Sequence, residues 1–88
     1  MRQNTDFIAT DIADKHILVP VGRAAVNFNA MISLNEMGRE IWNMLENDIS
    51  AEEILKNVLA EYDVSEEQAK ADIDSFLAKL RENGCIEE

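Results

Sequence analysis

The apolar positions of this chain change their period partway along. Up to residue 31 they come in short runs or alternate with polar residues; beyond it they recur every three or four residues. A period of two marks a half-buried strand, and one near 3.6 an amphipathic helix. Val26, Phe28 and Ala30 alternate with Asn27 and Asn29, so residues 24–31 read as a half-buried strand. Residues 5–11, closed by Ala13-Asp14-Lys15, and residues 16–21 read as its partners. Pro20 cannot donate to a ladder, which puts that strand end at an edge or a bulge. Gly22-Arg23 suits a type II′ hairpin turn. The expectation is a three-stranded antiparallel meander over about residues 5–31.

The helical half announces its own starts. Ser33-Leu34-Asn35-Glu36, Ser50-Ala51-Glu52-Glu53 and Ser65-Glu66-Glu67-Gln68 each have the spacing of a capping box, and each follows an apolar residue (Ile32, Ile49, Val64). In such a box the serine oxygen accepts from a free N–H of the first turn. Two boxes carry a staple pair, Ile32 with Met37 and Ile49 with Ile54; the third offers only Val64 with Ala69. Three helices follow, at about residues 34–46, 51–62 and 66–83. The first has a stripe of Leu34, Met37, Ile41 and Leu45, with Trp42 on its shoulder. Gly38 falls inside that stripe. A glycine there costs about 1 kcal/mol relative to alanine, so another element is expected to pack close against it. The second helix carries Ile54, Leu55, Val58 and Leu59, with Tyr62 near its end. The third carries Ala69, Ile73, Phe76 and Leu80. Gly84 suits the position just past its end, and Cys85 and Ile86 are expected to fold back over the last turn.

Strands followed by helices in 88 residues give a single α+β domain spanning 1–88, of winged-helix-like size. Composition sharpens this little: 47% apolar and 30% charged residues describe a globular chain. A single cysteine, Cys85, allows no internal disulfide, and residues 1–6 are polar with no secretory apolar segment behind them. The longest apolar run, residues 17–21, is too short to cross a bilayer. A cytoplasmic protein is expected.

Charge excludes more. The net charge is −10, and it is uneven: residues 1–44 hold five acids and four bases, net −1, while residues 45–88 hold thirteen acids and four bases, net −9. The third helix sets Lys70, Lys79 and Arg81 against Glu66, Glu67, Asp72, Asp74 and Glu82. Such a surface repels phosphate backbones. The inventory for chemistry is equally thin. His16 is the only histidine, and no ligand spacing for a metal surrounds it. Cys85 stands at a helix end, where nothing lowers a thiol pKa. Asp72 with Asp74, and Glu52 with Glu53, are too close in sequence to face each other on a helix. The three glycines are scattered rather than gathered into a phosphate loop. No catalysis, metal or cofactor is expected.

What remains is a strand edge beside a helix. An unpaired ladder is a template for another extended chain, with flanking pockets supplying selectivity. On the wheel of the third helix, Leu77 sits on one shoulder of the apolar stripe, flanked by Lys70, Asp74 and Arg81. That suits a peptide with an apolar anchor and acidic neighbours. Equally, Leu77 completes the core and the cations only solvate the surface.

At this point the order of residues becomes familiar. Leu34-Asn35, Gly38, Ile41-Trp42 and Leu45, then Ile54-Leu55, Tyr62-Asp63-Val64, Asp72-Ile73, Phe76-Leu77, Leu80, Gly84 and Ile86 stand in the chain in that order. Over residues 7–86 this resembles the PqqD family, the accessory proteins of pyrroloquinoline quinone biosynthesis. The resemblance implies a winged-helix-like domain of three strands and three helices. It implies a recognition element for ribosomally made, modified peptides, one that presents a precursor leader to a modifying enzyme, often a radical SAM protein. The leader would be held as an added strand between the third strand (residues 24–31) and the third helix (residues 65–83). The contact residues it implies here are Ala25, Asn27, Asn29, Asp74, Leu77 and Arg81. Two other roles remain open at this stage: a homodimerisation module that pairs the same edge with a second copy, and a winged-helix nucleic-acid binder.

Overall fold

The computed structural model describes residues 1–23, 25 and 31–88. Its elements are β1 (Arg2–Gln3), β2 (Phe7–Ile12), β3 (Lys15–Pro20), β4 (Ile32–Leu34), α1 (Glu36–Met44), α2 (Ala51–Glu61), α3 (Glu66–Glu82) and β5 (Ile86–Glu87). The expected α+β order therefore holds: an antiparallel sheet β2-β3-β4, then three helices.

The register explains which face is buried. Ala9, Leu18 and Ile32 lie opposite one another across the sheet, and Leu34 lies opposite His16. Phe7, Leu18, Ile32 and Leu34 are buried on this inner face. Ile8 and Ile12 alternate to the outer face and are exposed. Pro20 ends β3 beyond Leu18, the last residue that β4 pairs. Among the described residues, its missing N–H thus falls where β3 is paired only with β2, a place that suits a proline in a strand.

Two sheet expectations change. The tight hairpin is Ala13-Asp14, between β2 and β3, and Ala13 takes the positive φ (+56°) that its first loop position demands. Gly22 does turn the chain, with the Ala25 N–H donating to its carbonyl at 3.2 Å, but no described strand begins there. The strand expected at residues 24–31 lies largely outside the described residues. The described third strand of the sheet is Ile32–Leu34, with exposed Met31 just before it. Alternation at residues 26–30 masked a second alternation, Ile32 in, Ser33 out, Leu34 in.

That shift also moves the first helix cap. Ser33 is a strand residue, and the N-cap is Asn35, whose Oδ1 accepts from the Gly38 N–H at 2.7 Å. Asparagine caps as well as serine does, and Ser33, two residues earlier in β4, lies outside the helix start. The other two serines cap as expected: Ser50 accepts from the Glu53 N–H at 3.2 Å and Ser65 from the Gln68 N–H at 3.1 Å. Helix α3 ends in a Schellman motif. Gly84 (φ +69°) donates to the Arg81 carbonyl at 3.1 Å and Cys85 to that of Leu80 at 2.8 Å. Cys85 and Leu80 are both buried, which supplies the apolar contact of that motif.

One core joins the sheet to all three helices: Ile41, Trp42 and Leu45 from α1 and its end, Ile54 and Val58 from α2, and Ala69, Ile73, Leu77 and Leu80 from α3. The termini close it. β1 pairs with β5, and Gln3 caps the end of α1, its N–H donating to the Leu45 carbonyl at 2.8 Å and its side chain to that of Trp42 at 2.6 Å. The Met1 amino group donates to Asp48 at 2.7 Å. The polar start of the chain carries no strand pattern, because two residues held by backbone partners need none.

Candidate functional site

Strand β4 has β3 on one side and, among the described residues, no strand on the other. The edge expected from the sequence, at residues 24–31, lies largely outside the described residues, and β4 is the edge strand that the described residues supply. Directly after it, Asn35 leads into α1, and here α1 and α3 part to leave a groove of about 340 Å3. Met37, Gly38 and Ile41 line it from α1; Asp72, Ser75 and Phe76 line it from α3; Asn35 stands at its mouth.

Gly38 sets the width of this groove. A Cβ there would stand 3.1 Å from Asn35 Oδ1 and 3.3 Å from the Phe76 ring. Phe76 therefore rests on bare helix backbone, and the close approach expected from a glycine in the apolar stripe is made by its ring. The groove mixes an apolar floor with a polar mouth, the usual composition of a recognition pocket.

Helix α3 offers two shoulders, and the groove uses the one carrying Asp72 and Phe76. Asp72 and Asp74 stand about 200° apart around the helix axis. Asp74, with Lys70 and Ile73, lines a smaller cavity of about 120 Å3 against Ala51, Glu52 and Leu55 of α2. Of the residues named from sequence, Leu77 is 1% exposed and belongs to the core. Arg81 reaches Glu88 and the Met1 sulfur near the paired termini. Ala25 is exposed just past the Gly22 turn, and Asn27 and Asn29 lie outside the described residues. Asp74, Leu77 and Arg81 thus do not line the groove between α1 and α3. Of the residues that do, Asn35, Gly38, Asp72, Ser75 and Phe76 among them, the sequence pointed to a close approach only at Gly38.

The titratable groups are arranged as braces. Asp11 is held below the usual carboxylate range by the Arg39 guanidinium (3.1 Å) and then by His16 Nδ1 (2.7 Å). Arg39 also donates to Asn43 Oδ1, so this cluster fastens the sheet to α1. Tyr62 donates to Glu40 at 2.8 Å, and that acceptor, with desolvation, pushes the phenol up to about 12. Glu61 is raised by sharing a hydrogen bond with Glu40. Burial pushes the Cys85 thiol up to about 11, away from the thiolate that nucleophilic chemistry needs. No described helix is long and apolar enough to cross a membrane.

A strand edge with no described partner and a helix-walled groove, on three strands followed by three helices, have the make-up of a small α+β recognition scaffold. The chain belongs to the family described as coenzyme PQQ synthesis protein D (PqqD), whose model matches residues 15–86. Two solved structures share the fold. One, described as TbiB1 in complex with the TbiA(beta) leader peptide, has 25% identity and a TM-score of 0.78, over 99% of this chain and 95% of that one. The other, lasso peptide synthetase B1 complexed with the leader peptide, has 23% identity and a TM-score of 0.74, over 96% and 93%. No curated protein sequence shows significant similarity to the chain.

Proposed function

We propose that this protein is a non-catalytic adaptor that captures the leader of a ribosomally made precursor peptide and presents it to a modifying enzyme of the radical SAM type. The leader adds as a strand to the free side of β4 and sends a side chain into the groove between α1 and α3. The observation that carries this reading is the coincidence of two features: a strand with no described partner on one side, and a shaped pocket that begins at Asn35, just past its end. Main-chain bonds to the edge supply affinity for any extended chain, and the pocket selects among them. Membership in the PqqD family supports the reading, as does the likeness to TbiB1, whose structure holds a leader peptide. Holding a peptide beside an enzyme raises its effective concentration there to the millimolar range for a short tether.

The test is an amide-shift titration with the N-terminal half of a short peptide encoded beside this gene. Shifts should cluster at residues 31–38 and 72–76. Shifts confined to the paired termini or to α2 would refute the reading. The same edge accommodates a second copy of the chain, and light scattering across a dilution series separates a peptide adaptor from that homodimer.

A further inference from the structure

The groove beside β4 carries a charge that its surroundings leave unbalanced. Among its lining residues only Asp72 is charged. Its carboxylate accepts from the Gln68 side-chain amide at 2.9 Å, a neutral partner that leaves the charge in place. No described cation lies within 4.0 Å of it. Four carboxylates elsewhere do have a cationic partner, Asp11 with Arg39 and His16, Asp48 with the N-terminal amine, Glu87 with Arg2 and Glu88 with Arg81. The wider field has the same sign, since residues 45–88 carry net −9 and Glu36, exposed, opens α1 next to Asn35. Inside the mouth the lining turns apolar, with Met37, Ile41 and the Phe76 ring around the bare backbone of Gly38.

Resting on the peptide-binding reading above, we propose that the groove selects an extended peptide in which one large apolar side chain is flanked closely by lysine or arginine. The apolar side chain fills the space over Gly38, against Met37, Ile41 and Phe76. The cation meets Asp72 at the rim. This reverses the acidic flanks expected from sequence, because the Lys70 and Arg81 that would have welcomed them stand on the other shoulder of α3 and near the termini. An exposed ion pair is worth only a few-fold in affinity. A carboxylate in its place is repelled by a similar amount, and the acidic half of the chain adds to both effects at low salt. A lysine-flanked peptide should thus bind about tenfold more tightly than its glutamate-flanked counterpart, with the gap closing as salt rises.

The experiment pans a display library of random twelve-residue peptides against the full chain at low ionic strength. One recovered peptide is then resynthesised with lysine, glutamine or glutamate beside its apolar anchor. Each version is titrated against the wild type, Asp72→Asn and Asp72→Lys, with unfolding midpoints confirming that the variants fold. The expected order is lysine, then glutamine, then glutamate. Asp72→Asn should flatten that order while the apolar anchor is still required, and Asp72→Lys should invert it. Equal binding of the three versions, or an order unmoved by Asp72→Lys, overturns the cation preference but leaves peptide binding standing if amide shifts still cluster at residues 31–38 and 72–76. Recovery of no binding peptide overturns both.

Discussion

The two sides of α3 treat their neighbours differently. Toward α2, Ile73 and Leu77 are buried and the space left over, beside Leu55, is about 120 Å3. Toward α1, Phe76 rests on Gly38 and a groove of about 340 Å3 stays open beside β4. One helix is thus sealed into the core along one flank and serves as a wall along the other. The sealed flank is built from branched aliphatic side chains that are almost fully buried. The open flank is built from a flat ring on a glycine, a contact that brings the backbones together without filling the space around it. If the groove binds the peptide as proposed, stability and recognition fall to different faces of the same element, and substitutions should separate them.

The largest effect is expected on the sealed flank. Leu77→Ala should cost about 2–5 kcal/mol, the usual range for emptying a packed leucine site, read from the urea midpoint. Leu77→Asp should leave no cooperative transition, since a carboxylate would be buried without a partner. A folded Leu77→Asp protein would show that this side chain is not in the core. On the open flank, Gly38→Ala should behave in the opposite way. Its helix-propensity gain of about 1 kcal/mol is offset by crowding of the Asn35 cap and the Phe76 ring. Stability should stay within about 1 kcal/mol of wild type, while affinity for a bound peptide falls at least about tenfold. A large loss of stability with unchanged affinity would erase the contrast.

Smaller effects test the boundary of the groove. Asn35→Ala should cost about 1 kcal/mol through the lost cap, and Ser33→Ala nothing measurable, because Ser33 is exposed in β4 and caps no helix. Equal losses at the two positions would return the cap to Ser33. Away from the groove, Tyr62 joins α2 to Glu40 of α1 through its phenol proton. Its folded pKa, about 12, lies above the unfolded value of about 10. The contribution is therefore complete below pH 10 and is lost as pH rises toward 12. Tyr62→Phe should lower the urea midpoint below pH 10 and remove part of the decline above it, with peptide affinity unchanged.

Much of this architecture was written in local patterns. Ser50 and Ser65 cap because a serine oxygen three residues ahead of a free N–H is a contact within one turn. Gly84 ends α3 because its positive φ is a property of the residue itself. Gly38 announced a close neighbour because a glycine in an apolar stripe has no other local reason to be there. The described third strand, Ile32–Leu34, went unnoticed because residues 26–30 alternate as convincingly as Ile32, Ser33 and Leu34 do, and period alone does not say which stretch β3 will pair. The pairing of β1 with β5 was invisible for a related reason: its bonds are backbone bonds across more than eighty residues, and backbone groups leave no trace in the order of side chains.

The amino-acid order by itself determined the element types, most of their ends, the acidic surface and the apolar stripe of each helix, since all of these follow from neighbours a few residues apart. Only the tertiary structure decided which shoulder of α3 faces the groove. Lys70-Asp74 lie on one side of Ile73 and Asp72-Phe76 on the other, so the wheel alone offers both. The choice fell when α2 docked against one shoulder and Gly38 admitted Phe76 on the other, and it turned the charge at the mouth of the groove from positive to negative.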